Sequence, residues 1–388
     1  MTFKYPLATA TWDQKEIDAM QKVIASGNFT MGENVRLFER EFAKYIGSQH
    51  AVMVNSGSSA NLLMIGALFY SKNPKLKLKR GDEVIVPAVS WSTTYYPLYQ
   101  YGLKIKFVDI DIETLNYDLA QLESAISNKT RVVLAVNLLG NPNDFDFIDK
   151  IIQDKKIILL EDNCESMGAT FNNKKAGTFG VMGTFSSFYS HHISTMEGGL
   201  IVTDDEEIQQ ILISLRSHGW TRDLPVKNLI CGDKSDDLLE ESFRFVLPGY
   251  NVRPLELEGA LGVEQVKKLP MIISERRKNA KLFSDTLSNH PDLLIQKEVG
   301  ASSWFGFSII IRPGSDLTRK ELVNKLNQLG FELRPIVTGN FLKNEVIKFF
   351  DYTVHDSLKN AEYLDKNGLF IGNHHYPIPK AFEALLSF

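Results

Sequence analysis

Two histidines stand side by side, His191 and His192, in the stretch "SFYSHHISTMEGGL" that runs into Glu197-Gly198-Gly199. An imidazole changes charge near pH 6.5, so it can act as a general acid or base, or bind a metal. Metal binding is poorly supported by spacing, because adjacent side chains point apart and no third ligand is near. An absence is equally informative: no lysine occurs from Ala176 to Val226. That whole stretch therefore lacks an amine nucleophile.

Three other segments carry groups suited to chemistry. "NSGSSAN" (55–61) follows an apolar run and opens a helical one. Small residues at such a turn let backbone N–H groups approach a phosphate, and a helix N-terminus favours negative charge. The stretch matches neither the dinucleotide nor the P-loop fingerprint, and most Gly/Ser turns are simply turns. "ILLEDNCESMGA" (158–169) sets Glu161 and Asp162 at the end of an apolar run, where ligands sit in open α/β sheets. A carboxylate there can hold a protonated ring nitrogen, ligate a metal or cap the next helix. Trp91, in "PAVSWSTTYY", can stack on a planar ligand or belong to the core.

These residues need a scaffold, and the apolar runs supply one. They are "HAVMV" (50–54), "EVIVP" (83–87), "KIKFVD" (104–109), "RVVLAV" (131–136), "KIILLE" (156–161), "GTFSSF" (183–188) and "GLIVT" (199–203). Near-continuous Val/Ile/Leu runs separated by helical stretches indicate strands buried on both faces of a mostly parallel sheet. The last two, joined by 189–198, read as an antiparallel or crossover edge. Upstream, Thr11 and Gln14 are spaced as a capping box and Gly27 as a helix stop. From about residue 251 the pattern changes to helices at 253–268 and 270–289 split by Pro270. A strand-like run at 303–313, a helix at 318–329 and a strand at 331–334 follow. We expect a large domain at 1–245 and a smaller one at 246–388.

Composition narrows the field. The 388 residues carry a formal net charge of −4 and a pI of about 6.1, which offers no basic surface for nucleic acid. Two cysteines, Cys164 and Cys231, suit a reducing compartment rather than a disulfide scaffold. The N-terminus lacks a signal-peptide pattern, and no run reaches the ~20 apolar residues of a membrane span. The expectation is a cytoplasmic protein with neither membrane nor nucleic-acid partner.

Taken in order, "NSGSSAN", "PAVSW", "EDNCESMGA", "GTFSSF" with its later "EGG", and "GYNVRPLELEGALG" resemble the nucleotide-sugar aminotransferase family. The resemblance runs from about residue 8 to the C-terminal helix. It implies an α/β fold of fold type I, the aspartate aminotransferase-like architecture of pyridoxal-phosphate enzymes. That architecture has a large, mostly parallel seven-stranded sheet domain and a smaller α+β C-terminal domain. In that family a lysine lies six residues before the glutamate of the E-G-G turn; six before Glu197 is His191. The lysine links covalently to the cofactor and later displaces the aminated product, and an imidazole can do neither. The resemblance thus implies pyridoxal 5'-phosphate or pyridoxamine 5'-phosphate held non-covalently. Two branches of the family carry histidine here. One also holds an iron–sulfur cluster on cysteines, which needs four thiolates where this chain has two. No iron–sulfur cluster and no other metal is expected. The other branch uses L-glutamate to remove the C3 hydroxyl of a GDP-linked 4-keto-6-deoxy sugar, releasing 2-oxoglutarate and ammonia.

Carried onto this chain, the resemblance makes His191 the acid/base and pairs Asp162 with the pyridine nitrogen. It stacks Trp91 on the ring and sets Gly57, Ser58 and Ser186 on the phosphate. Asn251 would reach in from a second subunit, which implies a homodimer with its sites at the subunit interface. Arg253 is assigned to a glutamate carboxylate or a diphosphate, and His218 and Arg334 to the sugar nucleotide. Glu165 joins the cofactor contacts, where many relatives have glutamine, and His192 supports. Three rival readings stay open: an aminotransferase of the GDP-perosamine-forming kind, a cofactor-free regulator, and a metal-dependent dehydratase.

Overall fold

The computed structural model describes residues 4–385. Strands β1 (His50–Val54), β2 (Glu83–Pro87), β3 (Lys104–Val108), β4 (Thr130–Val136), β5 (Ile158–Asp162), β6 (Met182–Ser186) and β7 (Gly199–Thr203) form on the seven apolar runs. They share one sheet in the order β1-β7-β6-β5-β4-β2-β3, and an eighth strand, Tyr352–Val354, adds parallel to β3. Its three side chains are all exposed, so it offers no apolar run to read. β7 lies antiparallel to β1 and β6, while the remaining pairings are parallel.

Alternate residues of each strand point to opposite faces, and here both faces are covered. Val132, Leu134 and Val136 of β4 enter the core that holds Leu63 and Met64, whereas Val133 and Ala135 enter another with Phe145 and Ile148. Ala51 and Met53 of β1 face a third core with Phe38, Phe42 and Ile272. A strand buried on both faces has no polar alternation, which is why these segments read as continuous runs. Each fully buried Val or Leu contributes roughly 1.5–3 kcal/mol.

Helix α1 (Gln14–Ser26) begins two residues later than its spacing predicts. The capping box is Asp13 with Glu16, not Thr11 with Gln14: Asp13 Oδ1 accepts from Lys15 N (2.8 Å) and Asp13 N donates to Glu16 Oε2 (2.8 Å). Thr11 is taken by a tertiary partner instead, donating to Gln265 Oε1 at 2.5 Å. Gly27 closes the helix at φ 72°. Helix α2 (Glu33–Ile46) packs against one continuous helix, Glu256–Leu287, where two helices were expected. Pro270 removes one helical hydrogen bond, but Leu269, Ile272 and Ile273 beside it are buried, and that packing holds the helix through the proline.

Beyond this helix, Leu293–Ile295, Gly306–Ile311 and Gly368–Gly372 make an antiparallel three-stranded sheet. It packs over a core of Phe283, Phe307, Leu322 and Phe382 that also takes in Tyr5. Residues 331–334, expected as a strand, form isolated bridges, Phe331 to Tyr5 and Arg334 to Phe370. Among the described residues, no helix is long and apolar enough to cross a membrane.

Candidate active site

The C-terminal ends of β4, β5 and β6 and the turn after β1 open into a cavity of about 600 Å³. Gly57, Ser58, Trp91, Asp162, Glu165, Ser186, His191 and Arg334 all line it. Two helices start there: α3 (Gly57–Tyr70), capped by Ser56, and α4 (Ser92–Gln100), whose N-cap is Trp91. Their N-terminal dipole ends favour an anion at that end of the cavity. The Ser58 and Thr93 hydroxyls, one from each helix, meet at 2.8 Å. Gly57 is needed for this approach, because a Cβ there would lie 2.8 Å from Ser186 Cβ and 2.9 Å from Cys164 Sγ. Gly199 of the E-G-G turn is under the same demand, its Cβ meeting Ser56 O at 2.2 Å. Trp91 is 56% exposed, so its ring belongs to the cavity wall and not to the core.

Asp162, the last residue of β5, is buried and oriented by three donors. Its Oδ2 accepts from Asn61 Nδ2 and Thr94 Oγ1 (2.8 Å each), and its Oδ1 accepts from Cys164 N at 3.1 Å. A carboxylate has about four lone-pair directions, so one remains for a cationic partner in the cavity. Neighbouring Glu161 faces the other way. It accepts from Gly177 N and Phe179 N (2.6 Å each) and Gly180 N (2.8 Å), which makes it a loop anchor. Glu165 accepts from Leu139 N at 3.0 Å. Burial, together with the Asp162 charge, raises its pKa to about 7 against the opposing pull of the Leu139 amide and Arg334.

The adjacent histidines part company. The His191 ring lies between Phe305 (5.0 Å between centroids) and Phe188 (5.8 Å), and its Nδ1 has no hydrogen-bond partner. Burial and the charges of Arg276 and Arg334 push its pKa down to about 3. His192 is fully buried and turns away, its Nε2–H donating to Ser303 O at 3.1 Å. That bond assigns its tautomer, and burial holds it neutral. Backbone strain gathers at the same place: Leu139 (φ 54°) and Val337 (φ 46°) line the cavity, and Trp304 (φ 48°) precedes Phe305. Left-handed values are unusual for such side chains and collect where the surroundings over-determine the backbone.

His218, Asn251 and Arg253 lie together elsewhere on the chain. Ser217 bridges Asn251, Arg253 Nε donates to Asn251 Oδ1 at 3.1 Å, and both His218 and Arg253 lie against Trp220. Reading the sequence did not single out Asn61, Thr94, Asn137 or Phe305, all in the cavity wall. Asn61 and Thr94 sit inside the quoted motifs, and Asn137 directly follows β4, which was a usable signal. Phe305 carried none. Among the described residues, no three His, Cys, Asp or Glu side chains group to hold a metal ion.

The family model described as "DegT/DnrJ/EryC1/StrS aminotransferase family" matches residues 10–376. A GDP-4-keto-6-deoxy-D-mannose 3-dehydratase of Escherichia coli O55:H7 is 67% identical over 371 residues, 95% of each chain. The solved E. coli GDP-4-keto-6-deoxy-D-mannose-3-dehydratase with bound hydrated PLP superposes with a TM-score of 0.98 at 65% identity, covering 100% of this chain and 99% of that one. A GDP-4-keto-6-deoxymannose-3-dehydratase structure with a trapped PLP-glutamate geminal diamine has a TM-score of 0.97 at 65% identity, covering 98% and 100%.

Proposed function

This chain belongs to the DegT/DnrJ/EryC1/StrS aminotransferase family, and we propose that it is a glutamate-dependent sugar 3-dehydratase of that family. It removes the C3 hydroxyl of GDP-4-keto-6-deoxy-D-mannose, using pyridoxal or pyridoxamine phosphate. The products are GDP-4-keto-3,6-dideoxy-D-mannose, 2-oxoglutarate and ammonia. The observation that carries this reading is His191 in the cavity wall, at the position where an amine would make an aminotransferase.

The donor set fits the cofactor: two helix N-termini with two hydroxyls for a phosphate, Asp162 with a free lone pair, and an open tryptophan face between them. Bound there, the cofactor would supply an electron sink for the reacting carbon. Asp162, held by Asn61, Thr94 and the Cys164 amide, keeps a ring-nitrogen proton in place. Trp91 would offer its exposed face to that ring. His191, whose imidazole is held toward its neutral form by burial and by the Arg276 and Arg334 charges, takes up a proton and returns it. An imidazole cannot displace an amine from the cofactor, so the nitrogen leaves as ammonia. Phe305 and Phe188 flank this base.

In the same reading the chain works in the cytoplasm as a homodimer, in the route to the dideoxy sugar colitose of lipopolysaccharide O-antigen. Asn251, Arg253 and His218 then serve the partner's cavity, Arg253 taking a carboxylate or diphosphate. Residues 1–245 hold the cofactor and 246–388 form the smaller domain. The deciding experiment supplies nitrogen-labelled glutamate with the keto sugar. Label in ammonia, one per glutamate consumed, is expected. Label at C4 of the product sugar would make the protein an aminotransferase of the GDP-perosamine-forming kind.

A further inference from the structure

Arg276 is 4% exposed on the long helix, yet no ion pair among the described residues includes it. A buried guanidinium without a carboxylate is costly, so its hydrogen bonds indicate what it is kept for. Its terminal nitrogen donates to Phe305 O (2.9 Å) and Trp304 O (3.3 Å). The same three-residue segment is held at its other end, where His192 Nε2–H donates to Ser303 O at 3.1 Å. Asn373 Nδ2 adds a bond to Trp304 O at 2.9 Å. These bonds secure a left-handed Trp304 that no local preference would maintain. The segment reaches the cavity twice. The Phe305 ring lies against His191, 5.0 Å between centroids and tilted by 54°, and Phe305 N donates to Leu139 O at 3.0 Å, next to the Leu139 amide that holds Glu165.

We propose that Arg276 is a positioning residue for His191. It clamps the Trp304 and Phe305 carbonyls so that the Phe305 ring sets the imidazole's place, and it holds a buried positive charge on the backbone of the residue whose ring touches that imidazole. The inference rests on the dehydratase reading for its catalytic consequence, but not for its physical content. The charge acts on a group of histidines: Arg276 lowers the pKa of His191, His192, His374 and His375 alike. Its own pKa, lowered by burial to about 10, leaves it cationic at neutral pH. The other charged or titratable groups around His191 are Arg334 from the C-terminal segment, Asp162 at the end of β5, Cys164 and Glu165 after it, Glu197 on the E-G-G turn, and His192. Arg334 adds to the effect, and an anionic ligand in the cavity opposes it.

Two substitutions separate clamp from charge. Arg276→Gln keeps an amide donor for the carbonyls and deletes the charge. Arg276→Lys keeps the charge and loses the planar fork. The first readout is an NMR titration of the ring-labelled His191 in cofactor-free protein, which needs no activity. In Arg276→Gln the His191 pKa is expected to rise from about 3 by about a unit or more, and the acid limb of 2-oxoglutarate formation to move to higher pH with it. In Arg276→Lys the titration stays low while kcat falls about tenfold, with KM for glutamate little changed. An unmoved His191 titration in Arg276→Gln overturns the charge role. Wild-type kcat in Arg276→Lys overturns the clamp. If Arg276→Gln does not fold, Phe305→Leu tests the relay: kcat must fall with the acid limb unmoved, and an unchanged kcat overturns the proposal. If the protein proves not to be a dehydratase, the NMR titration still decides the electrostatic half.

Discussion

The rim of the large sheet and the segment 217–255 both carry expected site residues, yet they are built on opposite terms. On the rim, polar side chains are given partners within the chain: buried Asp162 has three donors, buried Glu161 three backbone amides, and the more open Ser58 and Thr93 hydroxyls meet each other. Segment 217–255 instead holds apolar side chains in water, with Leu238 and Leu239 each 85% exposed, Phe243 70% and Val226 68%. Exposed apolar side chains of this kind fit the proposed subunit interface. The contrast teaches that the rim is satisfied within one chain, whereas His218, Asn251 and Arg253 sit on a segment that one chain leaves open to water. In the proposed homodimer, a second copy covers the segment.

The sharpest break is His191→Asn. It keeps the shape of the rim and removes the proton carrier, so both half-reactions are expected to fall about 10²–10⁴-fold, with circular dichroism and pyridoxamine phosphate binding retained. Near-normal 2-oxoglutarate formation would take the base off the rim. The next test asks whether the two regions belong to different subunits. Arg253→Ala and His191→Asn chains, each inactive alone, are dissociated and re-mixed in equal amounts. Half the dimers are then hybrids with one intact site in two, so about a quarter of wild-type activity should return. No recovery would mean that Arg253 serves its own chain.

Within the rim, Glu165 gives a pH signature. Its folded pKa of about 7 lies above the ordinary 4.5, so between those values the folded state binds a proton the unfolded state has lost. Stability therefore falls as pH rises from about 4.5 to 7, and Glu165→Gln should flatten that slope by about 1–3 kcal/mol. Calorimetric melting at pH 5 and pH 8, without cofactor, reads it; parallel curves for the two proteins would refute the raised pKa. The smallest effect is expected for Ser58→Ala, which deletes one hydroxyl from the helix-end cradle. Cofactor affinity should weaken by about 3- to 10-fold, measured by equilibrium titration, while an unchanged affinity would place the phosphate elsewhere.

Much of this was legible in one dimension. The seven principal strands were readable because each is set by a few consecutive apolar side chains, whichever neighbours they finally meet. His191, Asp162 and the 55–61 turn were readable because each occupies a strand end or a strand-to-helix turn, a place defined by residues within a few positions. The long helix was misread at Pro270 because the sequence shows the missing N–H but not the packing of Leu269, Ile272 and Ile273 that outweighs it. Asp13 displaced Thr11 as the cap once Gln265, 254 residues away, had taken the threonine.

The sequence by itself determined the periodic elements, the turn that opens α3, and the lysine-free stretch around His191, where the family resemblance implies an imidazole in place of an amine. Only the tertiary structure decided that Glu161 anchors a loop while Asp162 beside it faces the cavity, and that His192 turns away from His191. It alone brought Arg276 to the carbonyls of Trp304 and Phe305. The reason is range: propensity, capping and alternation are energies between near neighbours in the chain. The direction of a buried polar group is chosen by whichever distant donor or carbonyl the packed elements bring within about 3 Å.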